Sequence, residues 1–329
     1  MSRSPRPPTA ADVALRAGVS RATVSHIFNG REGRFPEETR ARVRAAAEQL
    51  DYRPSPAGRS LATGRSDTIV IVMPETTFGQ NFQDALDRLA DDAAGIGANV
   101  LMRFAGADPE KTVTALLKLR PCAVVDFGAL DGTARDRLGA QGVPTVPRLD
   151  VSLREPSANP NVEIGELQVA ELTRSGKRQI AYAAVSDGRA DPYGSDRYAG
   201  VKTACARRNL AEPPLIRVST NLESATAALR QLPQDGPLGI AAYNDQVALA
   251  VLAAAARLQM RVPSVLAVVG VDATDVGQLW TPRLTTIAVD MRAFVDDVVA
   301  ELADAIAYPV AEEGRPDREL LRVVPGETT

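Results

Sequence analysis

From Thr9 to Leu50 the apolar positions recur at helical spacing. Thr9-Ala10-Ala11-Asp12 reads as a capping box, in which a side-chain oxygen and a carboxylate satisfy backbone N–H groups that an opening helix leaves unpaired. Val13, Ala14 and Ala17 form the apolar stripe behind it, and Gly18 supplies a turn. Ser20 is placed to cap a second helix from Arg21 to about Asn29, with Val24, Ile27 and Phe28 at i, i+3, i+4 spacing. That helix turns Arg21, Ala22, Ser25 and His26 outward, and Asn29-Gly30 ends it. A third helix is expected from Pro36 to Leu50. Glu37 and Glu38 are favourable in its first turn, and Val43, Ala46, Ala47 and Leu50 face inward. Two short helices joined by a glycine-containing turn, with a supporting third, make a helix-turn-helix head.

Beyond residue 67 the pattern changes. Short apolar runs (68–73, 99–104, 122–127, 143–146, 179–184, 215–218, 238–243 and 267–271) alternate with helical stretches such as 82–95, 161–175, 197–209, 221–231 and 245–259. Such alternation predicts parallel sheets covered by helices on both faces, and about 260 residues suit two sheets better than one. Ligands of such sheets sit beyond the carboxyl ends of strands. Thr76-Thr77, Asp150, Asn244 and Asp272 fall at those ends.

Charge sharpens the division. Residues 1–66 carry 12 arginines against six acidic residues, net +6, whereas the remainder carries 26 basic against 35 acidic residues, net −9. A basic head on an acidic body is the footprint of a nucleic-acid-binding domain joined to something else. His26 is the single histidine, so Ser-His-Asp and Cys-His sites elsewhere are excluded. With only Cys122 and Cys205 besides, neither a His/Cys zinc site nor a disulfide framework is expected. No phosphate-loop or dinucleotide fingerprint is present. Carboxylate-only or lysine-based enzymes survive this filter, but nothing in the sequence points to them, and no enzyme activity, metal or cofactor is expected. No apolar run approaches the ~18 residues of a membrane span, and the basic start lacks the apolar core of a secretory signal. The expected place is the cytoplasm.

The stretch ADVALRAGVSRATVSHIFNG, with EETRARVRAAAEQLDYRP and RSLATGRS after it, closely resembles the head of the lac-repressor (LacI/GalR) family of bacterial transcription regulators. The resemblance implies that Ser20, Arg21, Ala22, Thr23, Ser25, His26 and Asn29 contact operator DNA, the second helix entering the major groove N-terminus first. The family usually has arginine at position 26. Arginine offers guanine two donors, whereas neutral imidazole offers one donor and one acceptor, so the half-site read here is expected to differ. Residues 55–61, SPAGRSL, read by themselves as a Pro/Gly/Ser linker, too short for an isolated helix, which needs ~12–15 residues. By resemblance they are the hinge helix, with Arg59 and Leu61 at the DNA and Leu61 wedged into the minor groove. Gly58 stands where the family usually has alanine, at about 1 kcal/mol of helix propensity.

The body resembles the same family through SDRYAG at 195–200, NDQVAL at 244–249, VPSVLAVVGVD at 262–272 and TPRLTTI at 281–287. This implies a two-lobed, periplasmic-binding-protein-like (type I) effector domain at 67–329, behind a helix-turn-helix domain at 1–54 and a hinge at 55–66. Lobe 1 is expected at about 67–152 and 284–307, lobe 2 at about 157–283 and 308–329. Arg197, Asn244, Asp272 and Trp280 would meet an effector from or near lobe 2, and Thr77, Phe82 and Asp150 from lobe 1. Each has a plainer reading: Arg197 as a solvated helix residue, Asn244 as a helix cap, Asp272 as a turn, Phe82 and Trp280 as packing. Ala273 replaces a common second aspartate and Val289 a common glutamine.

The expectation is a homodimeric, sequence-specific repressor on a near-palindromic double-stranded operator, controlled by a small molecule. An Arg/Asn/Asp site with aromatics points to a carbohydrate. The alternatives are control by a protein or a non-sugar corepressor, or by no effector, and, on the two-lobed fold alone, a solute-binding protein. The last residues, LRVVPGETT, lack leucine heptads, so no coiled-coil tetramer is expected.

Overall fold

The computed structural model describes residues 8–28, 32–52, 66–74, 80–95, 98–106, 108–147, 159–177, 179–186, 193–233, 236–306 and 320–329. The chain divides into two compact units, residues 1–67 with 119–122, and residues 68–118 with 123–329.

In the smaller unit α1 spans Ala10–Ala17, α2 spans Arg21–Phe28 and α3 spans Glu37–Gln49, with a 3-10 turn at Glu32–Arg34. The capping box at Thr9 is formed. Asp12 N–H donates to the Thr9 hydroxyl at 3.4 Å, and the Asp12 carboxylate accepts from Thr9 N–H at 2.8 Å. Gly18 ends α1 in the left-handed conformation, φ 64°, which glycine adopts without the Cβ penalty. Val13, Ala14, Ala17, Val24, Ile27, Val43, Ala46 and Ala47 make one buried core, with Phe28, Phe35, Leu50 and Tyr52 packed around it.

The larger unit holds two lobes. The first comprises β1 (Thr68–Met73), α4 (Gln80–Gly95), β2 (Asn99–Phe104), α5 (Pro109–Leu119), β3 (Ala123–Asp126), α6 (Gly132–Ala140) and β4 (Thr145–Val146). Its parallel sheet has the order β2-β1-β3-β4. The run TIVIVM of β1 is buried at every position after the first, as a central strand covered on both faces must be. The second lobe comprises α7 (Pro160–Arg174), β5 (Gln179–Val185), α8 (Gly194–Arg207), β6 (Leu215–Val218), α9 (Leu222–Arg230), β7 (Leu238–Ala242), α10 (Asp245–Arg257), β8 (Leu266–Val271), α11 (Asp275–Leu279) and β9 (Thr285–Val289). The chain then returns to the first lobe as α12 (Met291–Ile306), packed on α4. It ends in β10 (Leu321–Val324), antiparallel to β9. The second sheet runs β10-β9-β8-β7-β5-β6.

One expected boundary moves. The return to lobe 1 was expected at 284, but β9 pairs in parallel with β8, Val269 opposite Thr285 through Val271 opposite Ile287. Backbone pairing keeps residues 285–289 in lobe 2, and the crossover follows them.

Helices α7 and α8 meet backbone to backbone. A Cβ on Gly165 would lie 2.2 Å from the Arg197 carbonyl oxygen, and one on Gly200 would lie 2.0 Å from the Val162 carbonyl oxygen. Only glycine allows this approach, and it sets Asn161 of α7 beside Arg197 of α8.

Candidate functional site

On the head, Ser20 Oγ accepts from Thr23 N–H at 3.0 Å and meets the Thr23 hydroxyl at 2.8 Å, so both side chains help to cap α2. Arg21, Ala22 and Ser25 are exposed on that helix. His26 is half-buried, its ring stacked on Phe35 with centroids 6.3 Å apart and planes at 28°. Asn29, Arg59 and Leu61 lie outside the described residues.

In the body, a cavity of about 170 Å³ opens where the carboxyl ends of β7 and β8 meet the N-terminal turns of α7 and α8. Among the described residues, lobe 2 supplies Asn161, Arg197, Asn244 and Asp272 to its lining. Arg197 is buried, its Nε donating to Asn161 Oδ1 at 3.0 Å and its Nη1 to the Tyr243 carbonyl at 2.5 Å. The guanidinium lies over two rings, 4.9 Å from the Tyr243 centroid and 5.8 Å from that of Tyr193. Asn244, also buried, caps α10 by accepting from Val247 N–H at 3.0 Å, a bond that uses only its amide oxygen. Lobe 1 supplies an aromatic wall. Phe82 packs edge-on to Phe127 at 4.8 Å, Phe127 sits 5.6 Å from Phe294, and Met291 adjoins them. The Tyr193 hydroxyl donates to the Phe127 carbonyl at 2.7 Å and so ties the lobes at the cavity.

Asp272 closes the polar side. It follows β8 with φ 102°, and Ala273 follows it at φ 49°. Two successive non-glycine residues in the left-handed region store strain of the kind that gathers at functional sites. Asp272 borders the cavity but protein encloses it elsewhere. That desolvation pushes its carboxyl up to about 7, with Asp245 adding to the rise and Arg197 opposing it. Asp245 itself has no exposed surface, and burial raises its pKa too. It accepts from Thr286 Oγ1 at 2.6 Å and from Thr274 N–H and Oγ1 at 2.7 and 2.9 Å.

Residues 9–55 match the profile described as "Bacterial regulatory proteins, lacI family", and residues 169–329 match "Periplasmic binding protein-like domain". The chain belongs to the lacI family. Among relatives of this lacI-family chain, the HTH-type transcriptional regulator AscG of Escherichia coli (strain K12) is 26% identical over 89% of this chain and 90% of its own. The ribose operon repressor of Halalkalibacterium halodurans is 26% identical over 92% and 94%. A crystal structure of the lac repressor dimer, bound to operator and the anti-inducer ONPF, superposes with TM-score 0.76 at 22% identity over 98% of this chain and 99% of that one. That likeness establishes the fold, a helix-turn-helix head with a two-lobed α/β body.

Of the seven positions expected to meet an effector, the cavity brings together Phe82, Arg197, Asn244 and Asp272. Thr77 and Asp150 lie outside the described residues. Trp280 is not among the lining residues. It follows α11 and is 38% exposed, with Leu279 (84%) and Val276 (59%) on the same short helix. Sequence reasoning missed Asn161, Tyr193, Tyr243, Phe127 and Phe294. Phe127 and Tyr243 each end an apolar run, the strand-end position already used for Asn244. The pairing of Asn161 with Arg197 depends on the two-glycine helix contact and carries no local signal.

Proposed function

We propose that this lacI-family regulator is a homodimeric repressor that binds a near-palindromic operator through α2 and releases it when a small carbohydrate occupies the body cavity. The observation that carries the reading is the convergence of Arg197, Asn161, Asn244 and Asp272 with a cluster of aromatic rings in one cavity at the strand ends, on a chain that also has a helix-turn-helix head. Guanidinium, amide and carboxylate groups together donate to and accept from hydroxyls, and aromatic faces pack on ring C–H groups. Relatives named for ribose and for the lac operator support the class of ligand and of target. Arg21, Ala22, Ser25 and His26 are assigned to base edges, Ser20, Thr23 and Asn29 to DNA beside them, and Arg59 and Leu61 to the hinge at the operator centre. Thr77 and Asp150 are assigned to the effector from lobe 1.

A dimer is supported by the apolar surface left outside both lobes: Leu101, Met102 and Phe104 on the edge strand β2, and Val276, Leu279 and Trp280 on and after α11. An edge strand with such side chains is covered in a stable protein, and a second copy mirrors a two-fold operator. The site of action is the cytoplasm, where its DNA lies.

The test is selection of DNA from a random pool by the purified chain, with and without sugars. A two-fold related consensus, lost on adding a sugar, is the expected result. Recovery of unrelated sequences at every salt concentration refutes the reading.

A further inference from the structure

We propose that Gln168, which does not line the cavity, is a positioning residue of the effector site: its side-chain amide spans a split between β7 and β8 and so fixes the separation of Asn244 and Asp272. The inference rests on the reading of the cavity as the effector site and names a further residue that builds it.

The second sheet divides at its carboxyl edge. Strands β7 and β8 pair from Leu238 opposite Leu266 to Ala241 opposite Val269, and no further. Beyond that point each strand keeps only its outer neighbour. Ala242 stays paired with Ala183 of β5, and Tyr243 N–H donates to the Ala183 carbonyl at 2.8 Å. Gly270 and Val271 stay paired with Thr286 and Ile287 of β9, and Asp272 N–H donates to the Ile287 carbonyl at 2.9 Å. One side of the split therefore leads to Asn244 and the other to Asp272. Tyr243, on the first side, also gives its carbonyl to Arg197.

A split leaves backbone carbonyls short of ladder donors, and burial makes that shortage costly. Gln168, on α7 and with no exposed surface, supplies the donors. Its Nε2 donates to the Ala242 carbonyl at 2.7 Å and to the Val269 carbonyl at 3.1 Å, one on each side, with the Gly270 carbonyl at 3.5 Å. Three oxygens around one nitrogen fix which way the amide points. The amide's own oxygen is buried and meets no donor among the described residues, a penalty that a hydrocarbon of the same length would avoid. What the amide alone provides is the pair of N–H groups across the split. Asp245 braces the same two sides from α10, through Thr274 and Thr286. Helix α7 also carries Asn161 in its first turn, so one helix places one cavity residue and sets the spacing of two others.

Gln168→Met tests this, because it keeps the length of the side chain and removes both N–H groups. With no donor across the split, water is expected to enter it and reach Asp272. That carboxyl is the gauge. Enclosure holds its pKa at about 7, its charged neighbours Arg197 and Asp245 are unchanged in the variant, and hydration lowers it toward the ordinary carboxylate range. Carbon-13 NMR titration of the full chain, with Asp272 assigned through Asp272→Asn, is expected to show a midpoint lower by about one pH unit or more in Gln168→Met. The same fall is expected in Gln168→Asn, whose amide is one methylene too short to reach both strands. Calorimetric titration with whichever sugar releases operator from the wild-type chain is the second readout, and roughly a tenfold loss of affinity is expected in Gln168→Met. A lowered melting temperature with an unmoved midpoint makes Gln168 a packing residue and overturns the proposal. Full retention of sugar affinity, or failure of both variants to fold, overturns it too. If no sugar releases operator from the wild type, the carbohydrate reading of the cavity falls, and the midpoint alone decides whether Gln168 sets the split.

Discussion

Replacing Asp272 with asparagine is expected to stabilise the unliganded protein, and to do so only above acidic pH. Enclosure beside the cavity raises this carboxyl from its ordinary 3.8 to about 7. The folded state therefore holds a proton that the unfolded chain releases as pH rises from about 4 to 7. Across that window stability falls, because the unfolded state binds fewer protons than the folded one, and above 7 it levels off. A rise of about 3 pK units corresponds to about 4 kcal/mol at pH 8 and to almost nothing at pH 4. Solvent in the cavity screens part of this, so about 2 kcal/mol is expected for the isosteric, uncharged amide. For a body of this size that is roughly 4–8 °C in Tm. Asparagine also accepts a positive φ better than most residues, so the turn at φ 102° is retained. The assay is thermal unfolding by circular dichroism of both proteins at pH 5 and pH 8 without ligand. An asparagine variant that melts no higher than wild type at pH 8, or that gains equally at both pH values, refutes the reasoning. Asp272 would then be a structural group, not one held at a cost for a ligand.

Arg197→Gln is expected to weaken sugar-induced release of operator by roughly 10- to 150-fold in effector concentration, the loss of a charge-assisted hydrogen bond. It is also expected to lower Tm, since the guanidinium ties α8 to Asn161 and to the Tyr243 carbonyl; anisotropy titration and melting read the two separately. His26→Ala is expected to relax one half-site position at a cost of roughly 1–3 kcal/mol in specific binding, with non-specific binding little changed; DNA selection with the variant checks it. Leu279→Asp, at a site 84% exposed, is expected to leave folding intact and shift the chain toward monomer in sedimentation, with a red-shifted emission from Trp280.

Much of the fold is legible because each parallel strand is a continuous apolar run between helices: TIVIVM, AVVD and LAVVGV announce themselves. The strands that escape are those whose burial comes from tertiary partners. The first two positions of TTIAV are wholly buried threonines, with the Thr286 hydroxyl satisfied by Asp245 and that of Thr285 near Thr329. LRVV is a short antiparallel edge. Asn244 and Asp272, singled out by the strand-end rule, both line the cavity because they follow the ends of β7 and β8. Trp280 follows α11 and is not among the residues that line the cavity. Of the Phe127 cluster, the sequence gives single aromatics at three distant positions and nothing to bring them together.

The cavity and the exposed α11 face share one anchor. Asp245 opens α10 directly after the cavity residue Asn244, and its carboxylate holds Thr274, the cap of α11, together with Thr286 of β9. The fit around it admits no Cβ: one on Gly270 would lie 2.2 Å from Asp245 Oδ1. The strained pair Asp272–Ala273 is the stretch of chain between that anchored strand and α11. Residues 270–280 thus run from the cavity carboxylate of Asp272, through the Thr274 cap held by Asp245, to the exposed apolar side chains of Val276, Leu279 and Trp280.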